Sequence, residues 1–130
     1  MADIRSLLTM MLQQGASDMI LTAGYKPYIK VNGVMHIAYA PSLAQGETAT
    51  LALELLSPQQ RQAFSEQKEA NLAVSFDGIG RFRVNLYYQK GQISIAFRHI
   101  KDHVFSFEQL GVPKQAIDFV SFDDRKKELE

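Results

Sequence analysis

Strict alternation of apolar and polar side chains across residues 77–99 constrains the fold more than any other stretch of this sequence. A half-buried β-strand repeats every two residues, so one set of side chains meets the core and the other meets solvent. In the first arm Phe82, Val84, Leu86 and Tyr88 share a face, with Arg81, Arg83, Asn85 and Tyr87 opposite. In the second, Ile93, Ile95 and Phe97 lie together, leaving Ser94, Ala96 and Arg98 on the other side. Lys90-Gly91 suits a two-residue turn, which pairs Gln89 with Gln92 and sets Arg83 directly across from Arg98. Like charges facing each other on a sheet are destabilising. Two guanidinium forks so placed, with Arg81, Asn85 and Lys90 nearby, suit a phosphate or carboxylate. Spacing alone leaves open, and favours, the plainer reading of an exposed polar sheet face.

The preceding chain supplies the other layer. Asp3 caps a helix in which Ile4, Leu7, Leu8, Met11 and Leu12 form one apolar stripe, and Gly15 stops it. Residues 18–22 read as a strand, residues 24–27 as a turn, and residues 28–31 and 34–38 as a hairpin about Asn32-Gly33. A helix is expected over residues 45–56, burying Ala49, Ala52, Leu53 and Leu56, with Leu51 and Leu55 widening that face. Ser57 and Pro58 open another over residues 58–67, polar apart from Ala63 and Phe64 and so expected at the surface. Residues 70–76 form a strand turning through Asp77-Gly78, and Gly80 marks a bulge or a close backbone approach. After His99, Phe105, Phe107 and Leu110 precede a short helix expected from Pro113, with Ala116, Ile117 and Val120 inside; residues 121–130 have the composition of a linker. This order predicts an α+β domain: an antiparallel sheet of about six strands with helices packed on one face.

Composition removes several function classes. Fourteen basic and fourteen acidic residues cancel, which argues against a broad nucleic-acid footprint. Cysteine is absent, excluding disulfides and thiolate metal sites. No run of about 18 apolar residues could span a membrane, and the first residues lack the form of a signal peptide, so cytoplasmic residence is expected. No phosphate loop is present, and Gly78-Ile79-Gly80 lacks the third glycine of a dinucleotide fingerprint. His36 has no second ligand at useful spacing and reads as a surface or satisfied histidine; His99 and His103 have the spacing of a helical zinc pair, but Val104 and Phe105 follow a strand end, so a metal site there is disfavoured. Asp123-Asp124 lies in a solvated tail, a poor setting for acid–base work.

Taken together, several segments resemble a known family. They are Gly15-Ala16-Ser17-Asp18, Pro27 with Lys30-Val31-Asn32-Gly33, Leu56-Ser57-Pro58-Gln59-Gln60-Arg61, and Glu69-Ala70-Asn71-Leu72-Ala73-Val74-Ser75. Gly78-Ile79-Gly80-Arg81-Phe82-Arg83-Val84-Asn85, Phe97-Arg98-His99-Ile100 and Glu108-Gln109-Leu110-Gly111-Val112-Pro113 complete the set. In this order they are similar to the N-terminal domain of type IV pilus retraction ATPases, the twitching-motility motors of the PilT/PilU type, and slightly more to the PilU branch.

The resemblance implies a PAS-like domain over residues 1–120 and a linker over residues 121–130 leading to a RecA-like ATPase domain absent from this sequence; Leu129-Glu130 is consistent with a cloning remnant. It implies a hexameric parent using ATP and Mg²⁺, with no cofactor expected in this domain alone and no ATP hydrolysis by it. By motif position it assigns Arg83 and Arg98, with Arg81 weaker, to nucleotide phosphate contact and sensing. The implied partners are the RecA-like domains of the same and neighbouring subunits, a related retraction ATPase and the inner-membrane pilus platform protein, at whose cytoplasmic side the motor would sit; nucleic acid is not among them. The alternative is a free-standing PAS-like sensor or adaptor, which predicts an apolar pocket.

Overall fold

A computed structural model describes residues 3–101. The helix expected from Pro113, the apolar residues 105–110, His103 and the segment 121–130 all lie outside the described residues. The described elements run α1 (Ile4–Gln13), β1 (Asp18–Thr22), β2 (Tyr28–Val31), β3 (Val34–Ile37), α2 (Glu47–Leu55), α3 (Pro58–Gln67), β4 (Glu69–Phe76), β5 (Gly80–Gln89) and β6 (Gln92–Ile100). All six strands join one antiparallel sheet in the order β3-β2-β1-β6-β5-β4. Helices α2 and α3 carry the chain from one edge of the sheet to the other, and β6 returns to pair with β1.

Local chemistry explains several of these boundaries. The Asp3 carboxylate accepts the Ser6 amide at 2.9 Å, one of the donors that a helix start leaves unpaired. That bond, with one from the Ser6 hydroxyl, holds the Asp3 carboxyl below its ordinary value of 3.8. Helix α1 ends in a Schellman arrangement, Ala16 N–H donating to the Met11 carbonyl and Gly15 N–H to that of Leu12. At α3 a full capping box forms: the Gln60 amide donates to Ser57 Oγ at 3.2 Å, and the Ser57 amide to Gln60 Oε1 at 2.8 Å. Arg61 ties α3 to the end of α2, donating to the carbonyls of Leu53 and Leu56 at 2.6 and 3.1 Å.

The β5–β6 hairpin has the expected register, with Gln89 opposite Gln92 and Arg83 opposite Arg98. Lys90 and Gly91 both take positive φ, 53° and 78°, the mirror-image turn whose twist matches the flanking strands. Gly80 proves to be a close approach. It is the first residue of β5, paired with Phe76 without an extra residue, φ is +148°, and an added Cβ would lie 3.2 Å from His99 Nε2.

One pleat face of the sheet carries Met19, Leu21, Ile29, Phe82, Val84, Leu86, Ile95 and Phe97, all buried. They form a single core with Ile4, Leu7, Leu8 and Met11 of α1, Leu51 and Ala52 of α2, and Phe64 of α3. The helices therefore cover one face and leave the other open. Phe82 meets Phe97 edge to face at 6.5 Å, a favoured aromatic geometry. The otherwise polar α3 is held by Phe64, buried and stacked on Tyr88 at 5.2 Å.

The expected face of α2 differs from the one observed. Thr48, Leu51 and Ala52 are buried and Leu55 packs on the core, whereas Ala49 is exposed and Leu53 is half exposed. The helix also starts later, with Gly46 as its N-cap. Leucine and alanine are spread around most of this helix, so periodicity does not select a side; packing against β6 does.

Phe82→Ala is expected to lower folding stability by about 3–5 kcal/mol, the range for emptying an aromatic site in a core, measured by urea denaturation. Because the folded Asp3 carboxyl is depressed, its contribution is complete above the unfolded value and disappears as pH falls through the folded one. Asp3→Asn should therefore shrink the loss of stability as pH falls below that ordinary value of 3.8, read by thermal melts across the acid range.

Candidate functional site

The candidate site sits on the open face, and strand pairing builds it. Lys30 is opposite Asp18, Asp18 opposite Arg98, and Arg98 opposite Arg83, so four charged residues form one row across β2, β1, β6 and β5. Two rungs on the same side of the pleat, Ala96, Asn85 and Asn71 make the next row. All of these except Lys30, that is Asp18, Asn71, Arg83, Asn85, Ala96 and Arg98, line a shallow depression of about 340 Å³.

Within it the two arginines differ. Arg98 donates from Nε to Asp18 Oδ2 at 3.0 Å while its side chain stays 52% exposed, so most of the fork still faces solvent. Asp18 is held in turn by the Ser17 hydroxyl, which donates to Oδ1 at 2.6 Å. Arg83 is exposed and has no hydrogen bond or ion pair among the described residues. Asn85 donates to Asn71 Oδ1 at 2.8 Å, closing the far side of the depression. Arg81 shares the face but stands opposite Ile100 and Ser75, outside the depression.

Electrostatically the site is two guanidinium groups against one carboxylate, which leaves an excess of one positive charge in a partly walled setting. Opposed arginines lack a mutual partner, so an oxyanion bridging them would relieve their repulsion and engage guanidinium donors that Asp18 does not use. Asp18 is the residue that reading the hairpin alone missed. Its signal was its place as an acid at the start of a strand with the parity of the polar face. What could not be read locally was its neighbour, because Asp18 and Arg98 are 80 residues apart.

A second concavity, about 810 Å³, lies between α1, residues 39–46 and the start of α2. Leu7, Met10, Tyr39, Pro41 and Leu43 make it mainly apolar, and Asp3, Glu47 and Thr50 add polar atoms at its border. His36 is exposed on β3, as its isolation in the sequence suggested. No group of three or more histidine, aspartate or glutamate side chains suited to a metal occurs among the described residues.

No family model matches the chain. It is 38% identical over 113 residues to the type IV pilus ATPase PilU of Pseudomonas aeruginosa, an alignment covering 86% of this chain and 29% of that protein. It is 34% identical over 110 residues to the type IV pilus retraction ATPase PilT of the same organism, covering 85% of this chain and 32% of that one. The chain thus spans about a third of the length of the curated relatives it matches. Among solved structures, the pilus retraction motor PilT with bound ADP superimposes with a TM-score of 0.77 at 30% identity, covering 89% of this chain and 34% of that one. The Legionella pneumophila ATPase DotB, at 21% identity and a TM-score of 0.59, shares the fold. Sequence and fold agree over most of the chain, which belongs with the N-terminal domains of the type IV pilus retraction ATPases.

Proposed function

We propose that this chain is the non-catalytic N-terminal domain of a hexameric pilus retraction ATPase, and that it offers Arg83 and Arg98 to the phosphates of a nucleotide held mainly by a RecA-like domain. The observation that carries this reading is the pairing of the two arginines across β5 and β6 on the sheet face that the described helices do not cover, with Arg83 unpartnered among the described residues. Support comes from the similarity to PilU, PilT and the ADP-bound motor.

In this reading residues 121–130 lead toward the ATPase domain, and the sheet's open face meets the ATPase domain of a neighbouring subunit. Nucleotide and Mg²⁺ are then held chiefly by the RecA-like domain, and the arginines supply charge at the phosphoryl group from across a boundary. Such arginines contribute roughly 10³–10⁵ in rate in other phosphoryl-transfer systems. Loss of the γ-phosphate removes the anion that both arginines contact, which couples nucleotide state to the position of this domain. The motor would act at the cytoplasmic side of the inner membrane, with the pilus platform protein and a related retraction ATPase as partners.

A second reading, a PAS-like sensor or adaptor that binds a small ligand, is favoured by the largely apolar concavity beside α1. The coding sequence beyond Glu130 separates the two. A phosphate loop within a few tens of residues supports the motor, and a stop codon supports the sensor.

Three outcomes are expected. The purified 130-residue chain should show no ATP turnover in a phosphate-release assay, since the loop and metal ligands lie elsewhere; motor-like turnover free of contaminant would sink the reading. In the intact motor, Arg83→Ala or Arg98→Ala should lower ATPase activity by at least about tenfold, within what such arginines supply, while circular dichroism stays unchanged. Arg83→Gln in this chain should raise folding stability by about 0.2–1 kcal/mol at low salt, by removing the like-charge pair. The gain should shrink in molar salt, as denaturation midpoints at two ionic strengths would show. Lower activity combined with higher stability separates a phosphate contact from a structural role.

A further inference from the structure

We infer that Asp18 is a positioning residue for Arg98, holding its guanidinium beside Arg83 so that both are ready for a phosphate chain. This inference rests on the phosphate reading of Arg83 and Arg98 given above. Its ground is a directed chain of contacts: Ser17 Oγ donates to Asp18 Oδ1 at 2.6 Å, and Arg98 Nε donates to Asp18 Oδ2 at 3.0 Å. A guanidinium has five N–H donors, and the Nε bond uses one at the base of the fork. No other hydrogen bond of Arg98 occurs among the described residues, so its Nη groups remain free to meet an oxyanion.

The alternative role for a carboxylate here is as an internal substitute that occupies Arg98 until an anion displaces it. Geometry favours positioning. Asp18 engages Arg98 through Nε, not through the Nη edge that a phosphate would approach, so the anion need not evict the carboxylate. Without Asp18, repulsion from Arg83 and the rotamer freedom of a long, half-exposed side chain would swing Arg98 away. Ordering that side chain beforehand removes part of the entropy lost on binding. The Ser17 hydroxyl performs the same service for Asp18 and sets the carboxylate plane.

The test uses the 130-residue chain and inorganic triphosphate at millimolar concentration, followed by NMR of the arginine Nε–H signals. In the unmodified chain the Arg98 Nε–H should give a sharp signal slow to exchange with water that shifts on adding triphosphate, and an Arg83 Nε–H signal should emerge as the anion gives that exposed side chain a partner. In Asp18→Ala the Arg98 signal should broaden or vanish and triphosphate affinity should fall about three- to tenfold. Asp18→Asn, which keeps an acceptor oxygen but no charge, should recover part of both. Amide spectra matching the unmodified chain show that each variant is folded, and if Asp18→Ala is not, Asp18→Asn decides alone. Affinity equal to or tighter than that of the unmodified chain in the folded variants overturns the positioning role and leaves the phosphate reading intact. No response of either arginine in the unmodified chain overturns both.

Discussion

The pairing of β1 with β6 is the interaction on which the rest of this domain depends. Without it the chain has two separate sheets: one from β1, β2 and β3, the other from β4, β5 and β6. Joined, the two halves share one core, in which Met19, Leu21 and Ile29 of the first pack with Phe82, Val84, Leu86, Ile95 and Phe97 of the second. Met19 against Phe97 and Leu21 against Ile95 close the seam on the covered face, while Asp18 meets Arg98 on the open one. The same ladder therefore completes the core and assembles the charged row.

The two faces of the sheet divide the work. Helices α1, α2 and α3 all cover the face with Phe82, Val84 and Leu86, so among the described residues the opposite face is left to polar side chains. Alternation along β5 and β6 then serves two ends. The even-numbered residues of β5 anchor a rigid platform, and the odd-numbered ones, Arg83 and Asn85, are presented from it with little freedom in where their backbone lies. A site built on central strands holds its geometry better than one built on a loop. In the proposed reading, an arginine meeting a phosphate held by another domain gains most from such a platform, because misplacement weakens the contact.

Much of this was legible locally. The apolar stripe of α1 needed only a period of 3.6, and the β5–β6 register needed only a period of two and a two-residue turn. The capping box at Ser57 and Gln60 was half written in Ser57-Pro58. The orientation of α2 was not legible, because leucine and alanine on most of its sides give no contrast for periodicity to read. Gly80 announced a special backbone position but not which kind, since choosing between a bulge and a close approach requires knowing that His99 lies across the ladder.

The sequence by itself determined which elements form, the α+β class, and the opposition of Arg83 and Arg98, because those properties arise between residues near in the chain. Only the tertiary structure decided that β1 lies beside β6, that Asp18 therefore takes the Nε of Arg98, and that the arginine pair is partly neutralised by a carboxylate and not two bare charges. The physical reason is sequence separation. A hairpin turn reports its own register, whereas a contact spanning 80 residues is selected by the packing of the whole core and leaves no period in the chain.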